Sequence, residues 1–135
     1  MTLGVRAIVE NEDGKVLLVR HTYTPGLFLP GGGVEKAEPA ELSIRRELVE
    51  EAGVEVTGQL ELLGVFSNHR VFPNDHVLLY RLAALEWTAC DPTSRGEISE
   101  RVWVDPASPP QDVTPGTGRR LAEHASGARN SDGYW

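Results

Sequence analysis

The chain has 135 residues, of which 40% are apolar and 24% charged, a composition typical of one soluble globular domain with a hydrophobic core of its own. The formal net charge of −7 disfavours long DNA or RNA as a partner, because such a surface repels phosphate backbones. A single cysteine excludes an internal disulfide, and the sequence contains neither an apolar signal segment nor a run of 18 apolar residues, so we predict a cytoplasmic protein without membrane contact.

The first third of the chain predicts strands joined by turns. Leu3–Glu10 and Lys15–Arg20 are rich in apolar and β-branched residues, and the turn signal Asn11–Gly14 between them indicates a hairpin. The run 16–19 is apolar at four successive positions, which favours burial on both faces. Leu27–Leu29 predicts a short extended segment, and a glycine-rich turn follows at Gly31–Gly33.

An amphipathic helix is predicted from Pro39 to Ala52. Proline suits the first helical position because its missing N–H would be unpaired there, and Gly53 supplies a left-handed stop. At 100° per residue the apolar side chains fall on one arc and three carboxylates on the opposite arc, with Arg46 at the edge of the acidic arc. The apolar arc consists of Leu42, Ile44, Leu48, Val49 and Ala52, and the acidic arc of Glu47, Glu50 and Glu51.

The rest of the chain predicts further strands and one more helix. Extended segments are expected at Val54–Phe66 (broken near Gly58 and Gly64), His76–Leu82 and Glu100–Val104. A polar loop is expected at Ser67–Asp75, irregular structure at Trp87–Gly96 and a proline-rich loop at Pro106–Gly116. A second helix is expected at Gly118–Ala125. Since no linker or internal repeat divides the chain, we expect one domain over residues 1–125, followed by a loose C-terminal tail over residues 126–135.

The acidic arc allows two interpretations. Residues spaced i, i+3 and i+4 are neighbours on a helix, so Glu47, Glu50 and Glu51 gather like charges that destabilise the helix by about 0.2–0.5 kcal/mol for each pair. A solvated charged face is the simpler interpretation. Three carboxylates directly after three glycines, whose backbone can approach a ligand closely, instead favour a site for a hard divalent cation such as Mg²⁺ or Mn²⁺.

These residues also resemble a known family signature. The series Gly32, five residues, Glu38, seven residues, Arg46-Glu47-Leu48, one residue, Glu50-Glu51, one residue, Gly53-Val54 is similar to the Nudix box at every fixed position of its 23 residues. Flanking segments are similar as well: a strand such as KVLLVR before the box, LPGG leading into it, and Trp103-Val104 late in the chain. Only the box is highly specific, although the resemblance covers residues 3–125.

The resemblance implies an α/β fold, the Nudix-type α/β/α sandwich with a mixed β-sheet, and hydrolysis of a diphosphate linked to another moiety. By position, Glu47, Glu50 and Glu51 would bind the metal, Arg46 would orient one of them, and Gly32 would shape the loop. Glu38 would support that loop and reach towards a metal. The implied cofactor is Mg²⁺ or Mn²⁺, which would activate a water for attack on phosphorus.

The sequence offers more than one candidate for the general base and for the substrate contacts. Glu97 and Glu100 are the candidates for the base, with Glu97 preferred as a loop residue before the last strand. The candidates for phosphate contacts are Arg6, Arg20 and His21, at the ends of the first two strands. In the polar loop, His69, Arg70 or Phe72 could stack on a base or hold a ribose.

Several functions remain open at this stage. The leading hypothesis is hydrolysis of a small nucleoside diphosphate derivative of the nucleotide, nucleotide-sugar or ADP-ribose type. An RNA 5′-end pyrophosphohydrolase, a Nudix-fold regulator without turnover and an acidic partner-binding face are the alternatives. Lys36-Ala37 departs from a proline or glycine pair found in many relatives, and no later motif assigns a substrate. A homodimer is common among relatives, but no sequence feature identifies an interface.

Overall fold

The computed structural model describes residues 1–94, 96–128 and 132–135. Two α-helices and nine strands are formed within these ranges. The strands are β1 (Thr2–Val9), β2 (Val16–His21), β3 (Leu27–Phe28), β4 (Gly31–Gly33), β5 (Val54–Val56), β6 (Glu61–Ser67), β7 (Asp75–Leu82), β8 (Trp87–Ala89) and β9 (Ile98–Val104), and the helices are α1 (Ala40–Glu47) and α2 (Pro115–Ser126).

A mixed four-stranded sheet forms the centre of the fold. Its strand order is β4-β1-β7-β6. β1 and β7 run parallel, from Thr2 opposite Asp75 to Val9 opposite Leu82, whereas β4 and β6 are antiparallel to their neighbours. This mixed sheet with helices packed against it confirms the predicted α/β fold of the Nudix-type α/β/α sandwich.

The second and third sheets are small. β2 pairs with β3 and with β9, and β5 pairs with β8. β1 and β2 therefore belong to different sheets, so the predicted hairpin is wrong beyond the single bridge between Glu10 and Val16. The turn between them is present, since Asn11 Oδ1 accepts hydrogen bonds from the N–H groups of Asp13 and Lys15. The apolar run Val16–Val19 of β2 is buried at all four positions, as predicted.

Two apolar clusters show which face of the central sheet each helix covers. The first cluster joins Ile44 and Leu48 to Val5 and Ala7 of β1, and the second joins Leu121 of α2 to Ile8 of the same strand. Because neighbouring residues of a strand face opposite sides of the sheet, α1 and α2 lie on opposite faces.

The predicted helix is correct in extent to within one residue but not in regularity. Pro39 is the extended residue before α1, so the helix begins one residue later than predicted. After Glu47 the chain continues as a π-helical turn over Leu48–Ala52, and Gly53, at φ 66°, ends that turn by donating its N–H to Leu48 O. Leu42, predicted on the apolar arc, is 56% exposed.

Three further expectations need correction. Gly31–Gly33 is not a turn but strand β4, paired antiparallel with β1. The segment predicted as irregular after Leu82 contains the short strand β8. Residues 132–135 of the predicted loose tail pack against the domain, where Trp135 joins the second apolar cluster, while residues 129–131 lie outside the described part. The second helix is confirmed and begins earlier, at Pro115, where proline fits the first turn.

No helix in the described part of the chain is both long enough and apolar enough to cross a membrane.

Candidate active site

The three box glutamates lie together where α1 passes into the π-helical turn. Their side chains differ in burial: Glu51 is 8% exposed, Glu47 13% and Glu50 38%. Burial raises the pKa of Glu47, and the charges of Glu51 and Glu50 raise it further, with Arg46 opposing them in part. The fold thus holds Glu47 at a position where its negative charge is incompletely compensated.

Arg46 connects the carboxylates into one network. Its Nε and Nη2 donate to Glu38 at 2.8 and 3.0 Å, and its Nη1 donates to Glu47 at 3.0 Å and to Glu50 at 3.2 Å. The pairing with Glu50 is an i, i+4 ion pair on the helix. The hydrogen bond from Arg46 is the main reason that the pKa of Glu38 falls to about 2. Glu38 also accepts from the Glu35 N–H at 3.2 Å, which ties the loop before α1 to this network.

Glu51 is fixed from the opposite side by two buried contacts. Its Oε1 accepts from the Gly31 N–H at 3.0 Å, and its Oε2 lies 3.2 Å from His21 Nε2. His21 is therefore placed against a carboxylate and not, as the sequence suggested, free to meet a phosphate. This contact depends on β2 and β4 lying side by side with the π-helical turn, which no local sequence pattern indicates.

Two glycines let the backbone of β4 approach its neighbours. A Cβ at Gly31 would lie 1.9 Å from Val5 O, and one at Gly32 would lie 2.5 Å from Glu47 Oε1. These distances are far below van der Waals contact. Glycine is thus needed here for close packing onto β1 and onto a carboxylate, and not for a turn.

The donor set fits a hard divalent cation. Within residues 1–94, 96–128 and 132–135, no three His, Cys, Asp or Glu side chains are arranged as a ready ligand set, and Glu47 and Glu50 both accept hydrogen bonds from Arg46. The side chains of Glu47, Glu50 and Glu51 nevertheless offer carboxylate oxygens, the ligands that Mg²⁺ and Mn²⁺ prefer. A cation would also offset the charge that raises the pKa of Glu47. Glu47, Glu50 and Glu51 are the residues that would hold it.

These residues line one side of a cavity of about 970 Å³. The predicted site residues that contribute to its wall are Arg6, His21, Gly32, Arg46, Glu47, Glu50, Glu51 and Glu97. Loop residues Asn68, Val71 and Phe72 and the start of α2 form other parts of it. A cavity of this size is at the upper end of the range for small-molecule sites.

Arg6 lies at the cavity wall, close enough to Glu47 and Glu51 for their charges to act on it. Its Nη1 donates to Leu29 O at 2.8 Å, and its guanidinium lies 5.5 Å from the centre of the Phe28 ring. Burial lowers the pKa of Arg6, whereas the charges of Glu51 and Glu47 act in the opposite direction. A cation is therefore available at the wall of the cavity, where an anionic substrate group could meet it.

The structure places Arg20 and Arg70 away from the cavity wall. Arg20 forms ion pairs with Glu100 at 2.9 Å and Asp112 at 2.7 Å. The Arg70 guanidinium lies 4.4 Å from the centre of the Tyr134 ring. Of the two candidate bases, Glu97 lines the cavity, whereas Glu100 pairs with Arg20 and is not among the described lining residues.

Sequence reasoning missed several residues of the cavity. Asp75 accepts hydrogen bonds from Thr2 Oγ1 at 2.6 Å and Asn68 Nδ2 at 2.9 Å at the ends of three elements. Arg119 and Trp135 line the wall formed by α2 and the last residues. Because these contacts join positions far apart in the chain, no spacing in the sequence could have revealed them.

Comparison with known families identifies one match over most of the chain. The NUDIX domain model matches residues 1–123. A MutT-like protein of Streptomyces ambofaciens is 30% identical over 132 residues, covering 91% of this chain and 83% of that protein. A Bacillus subtilis (strain 168) protein provisionally named an 8-oxo-dGTP diphosphatase is 29% identical over 129 residues, or 96% and 83% of the two chains. An ADP-ribose pyrophosphatase of Methanocaldococcus jannaschii is 39% identical over 79 residues, covering 56% of this chain and 46% of that protein.

Solved structures share the fold. A MutT NUDIX hydrolase from Burkholderia pseudomallei superposes with a TM-score of 0.73 at 24% identity, covering 90% of this chain and 95% of that one. An ADP-ribose pyrophosphatase from Streptococcus suis 89-1591 also reaches 0.73, at 23% identity with 96% and 93% covered. At these identities the agreement concerns the fold.

Proposed function

The chain belongs to the NUDIX domain family, and from this premise we propose that it hydrolyses the phosphoric anhydride linkage of a small nucleoside diphosphate derivative with Mg²⁺ or Mn²⁺ as cofactor. The observation that carries this proposal is the placement of Glu47, Glu50 and Glu51 on one side of a nucleotide-sized cavity, beneath the glycines of β4.

Each residue of the network has a distinct role in this proposal. Arg46 holds Glu47 and Glu50 through Nη1, and His21 and the Gly31 N–H hold Glu51, so the carboxylates are oriented before a ligand arrives. A bound divalent cation would neutralise charge on the diphosphate and lower the pKa of an attacking water. Arg6 supplies a positive charge for a phosphate oxygen.

Glu97 is the proposed general base. It lines the cavity on the loop before β9, where its charge adds to burial and to the charge of Glu51 in raising the pKa of Tyr23. Its backbone oxygen accepts from the Thr22 N–H, which attaches the loop to the end of β2. An exposed carboxylate on an anchored loop can accept a proton from a water at the cavity.

The charges around the cavity favour a small substrate over an RNA end. Among the described lining residues there are six carboxylates (Glu35, Glu47, Glu50, Glu51, Asp75, Glu97) and three guanidinium groups (Arg6, Arg46, Arg119). RNA binding relies on a basic track for the phosphate backbone, and this balance is the opposite. A regulator without turnover is disfavoured because all three box carboxylates are present and oriented.

The names of the relatives define the substrate panel. One relative is named for 8-oxo-dGTP and another for ADP-ribose, so the panel contains 8-oxo-dGTP, dGTP, ADP-ribose and a nucleotide-sugar, each with Mg²⁺ or Mn²⁺. Products identified by mass distinguish cleavage between phosphates from cleavage elsewhere. We expect metal-dependent release of a nucleoside monophosphate from at least one of them.

The decisive variant is Glu51→Gln. It keeps the size and the oxygen that accepts from Gly31 but removes the negative charge, so we expect hydrolysis to fall by roughly 100-fold or more while the fold is retained. Glu61→Gln is the matched control, because Glu61 lies on β6 in an ion pair with Arg81, outside the described cavity wall. Unchanged hydrolysis in Glu51→Gln, with circular dichroism equal to that of the parent, would falsify the role of this carboxylate.

A further inference from the structure

The last four residues pair with the end of strand β6 through a single bridge between Ser67 and Tyr134. The Ser67 N–H at the end of β6 donates to Gly133 O at 2.7 Å, and the Trp135 N–H donates to Ser67 O at 2.9 Å. We call residues Asp132–Trp135 the C-terminal segment. Since Ser67 begins the loop that lines the cavity through Asn68, Val71 and Phe72, the C-terminal segment lies against the catalytic cavity.

The indole of Trp135 is held in place by several contacts. It packs edge-on against Phe66 with ring centres 5.7 Å apart, and the Arg120 guanidinium lies 5.2 Å from its ring. Arg119 Nε donates to Trp135 O at 2.8 Å. At Gly116 a Cβ would lie 2.2 Å from Trp135 Nε1, so the indole occupies space that only a glycine leaves free. A side chain that is packed in this way forms a rigid part of the cavity wall.

Trp135 and the carboxylates border the same cavity from different layers. Glu47, Glu50 and Glu51 come from the α1 side of the central sheet, whereas Trp135 rests on the first turn of α2, on the opposite face. A substrate with its diphosphate at the carboxylates therefore extends its remaining moiety towards other walls of the cavity, and Trp135 with Arg119 forms one of them.

We propose that Trp135 is a specificity-determining residue that contacts the nucleoside or sugar moiety beyond the diphosphate and limits its size. This inference rests on the proposed function for the position of the diphosphate. The indole offers apolar and π surface to a base or a sugar ring. Loss of that surface weakens binding without changing the groups that act on phosphorus.

A binding experiment tests the contact without any turnover. α,β-Methylene-ADP, which cannot be cleaved at its bridging carbon, is titrated with Mg²⁺ while tryptophan fluorescence is recorded. Trp87 and Trp103 stack on each other, with ring centres 5.8 Å apart, and are not among the described lining residues. We expect a fluorescence change in the parent and in Trp87→Phe, and none in Trp135→Phe. A change of equal size in Trp135→Phe would overturn the proposal.

A kinetic experiment tests specificity with matched variants. Trp135→Ala removes the wall, and Gly116→Ala displaces the indole by its new Cβ. Gly118→Ala is the control, because its Cβ would meet only Val113 Cγ2, at 3.5 Å. With ADP-ribose and dGTP as probes, both test variants should raise KM about tenfold for at least one probe and leave kcat within about twofold. Gly118→Ala should leave KM unchanged.

The outcomes separate this inference from the proposed function. A parent protein that hydrolyses neither probe contradicts the hydrolase assignment for these substrates, and the fluorescence titration then still decides whether Trp135 meets a nucleotide. A parent protein that hydrolyses a probe, with unchanged KM and unchanged ratio of kcat/KM between the probes in Trp135→Ala and Gly116→Ala, overturns the role of Trp135 alone. Should Trp135→Ala fail to fold, Trp135→Phe and Gly116→Ala carry the test.

Discussion

The absence of a side chain at Gly32 leaves room for the carboxylate of Glu47. Its backbone lies so close to Glu47 that a Cβ would stand 2.5 Å from Oε1, whereas at Gly33, the next residue of β4, a Cβ would meet nothing within 4 Å. Neither residue requires a positive φ. The two positions therefore differ in their distance from the carboxylate and not in backbone strain.

We predict that Gly32→Ala lowers activity by about tenfold or more with little loss of stability. The new methyl group displaces the flexible end of Glu47, which costs little folding free energy but moves an oriented ligand. Gly118→Ala should keep the activity of the parent, because Gly118 is not among the described lining residues and its Cβ would meet only Val113 Cγ2, at 3.5 Å. Steady-state kinetics and thermal melts of both variants check this, and equal activities of the two would contradict the assigned role of the Gly32–Glu47 contact.

At the scale of the element, the stop at Gly53 fixes where the acidic turn ends. Gly53 has φ 66° and donates to Leu48 O, and its own oxygen accepts from the Cys90 N–H, so it also attaches the turn to the segment after β8. That attachment continues at Ser94, whose N–H donates to Glu50 O. The end of the π-helical turn and the segment that leads to Glu97 are thus held together.

We predict that Gly53→Ala destabilises the fold more than Gly14→Ala. Both glycines have positive φ, at 66° and 74°, so each substitution costs about 1 kcal/mol in backbone strain. A Cβ at Gly53 would also lie 2.7 Å from Cys90 O, while at Gly14 it would meet nothing within 4 Å. Urea unfolding should show at least about 1 kcal/mol between the two variants. Equal free energies of unfolding would show that the crowding at Cys90 is relieved without cost.

The elements also show which part of the structure the sequence specifies. Local patterns predicted α1, α2 and most strands, because periodicity, turn residues and caps act over a few neighbours. The separation of β1 and β2 into two sheets, the β4 strand and the π-helical turn were not predicted, since each depends on packing between distant segments. The same reason explains the site: the ion pair of Arg46 with Glu50 follows from i, i+4 spacing, but the contacts of Glu51 with His21 and Gly31 do not.

At the scale of the whole molecule, negative charge is concentrated around one cavity. The net charge of the chain is −7, and the described wall of the cavity carries six carboxylates against three guanidinium groups. Glu47 has its pKa raised, first by burial and then by Glu51. A raised pKa means that the folded state binds a proton on this carboxyl more tightly than the unfolded state does. The protein is therefore more stable with Glu47 protonated than with Glu47 ionised. The stability of the metal-free protein therefore falls as the pH rises from the ordinary pKa of a glutamate through the raised pKa of Glu47, and the loss is constant above it.

We predict that a divalent cation stabilises the fold through this charge. Ligand binding to the native state adds about 2.7 kcal/mol at 100 times Kd, which for a chain of this length raises Tm by roughly 5–10 °C. Thermal melts at pH 7 should show this rise with saturating Mg²⁺ or Mn²⁺ and its reversal by EDTA. In Glu51→Gln the rise should be clearly smaller, whereas Glu61→Gln should match the parent. An equal rise in all three proteins would place the stabilising ion outside the cavity and contradict a cation held by the box glutamates.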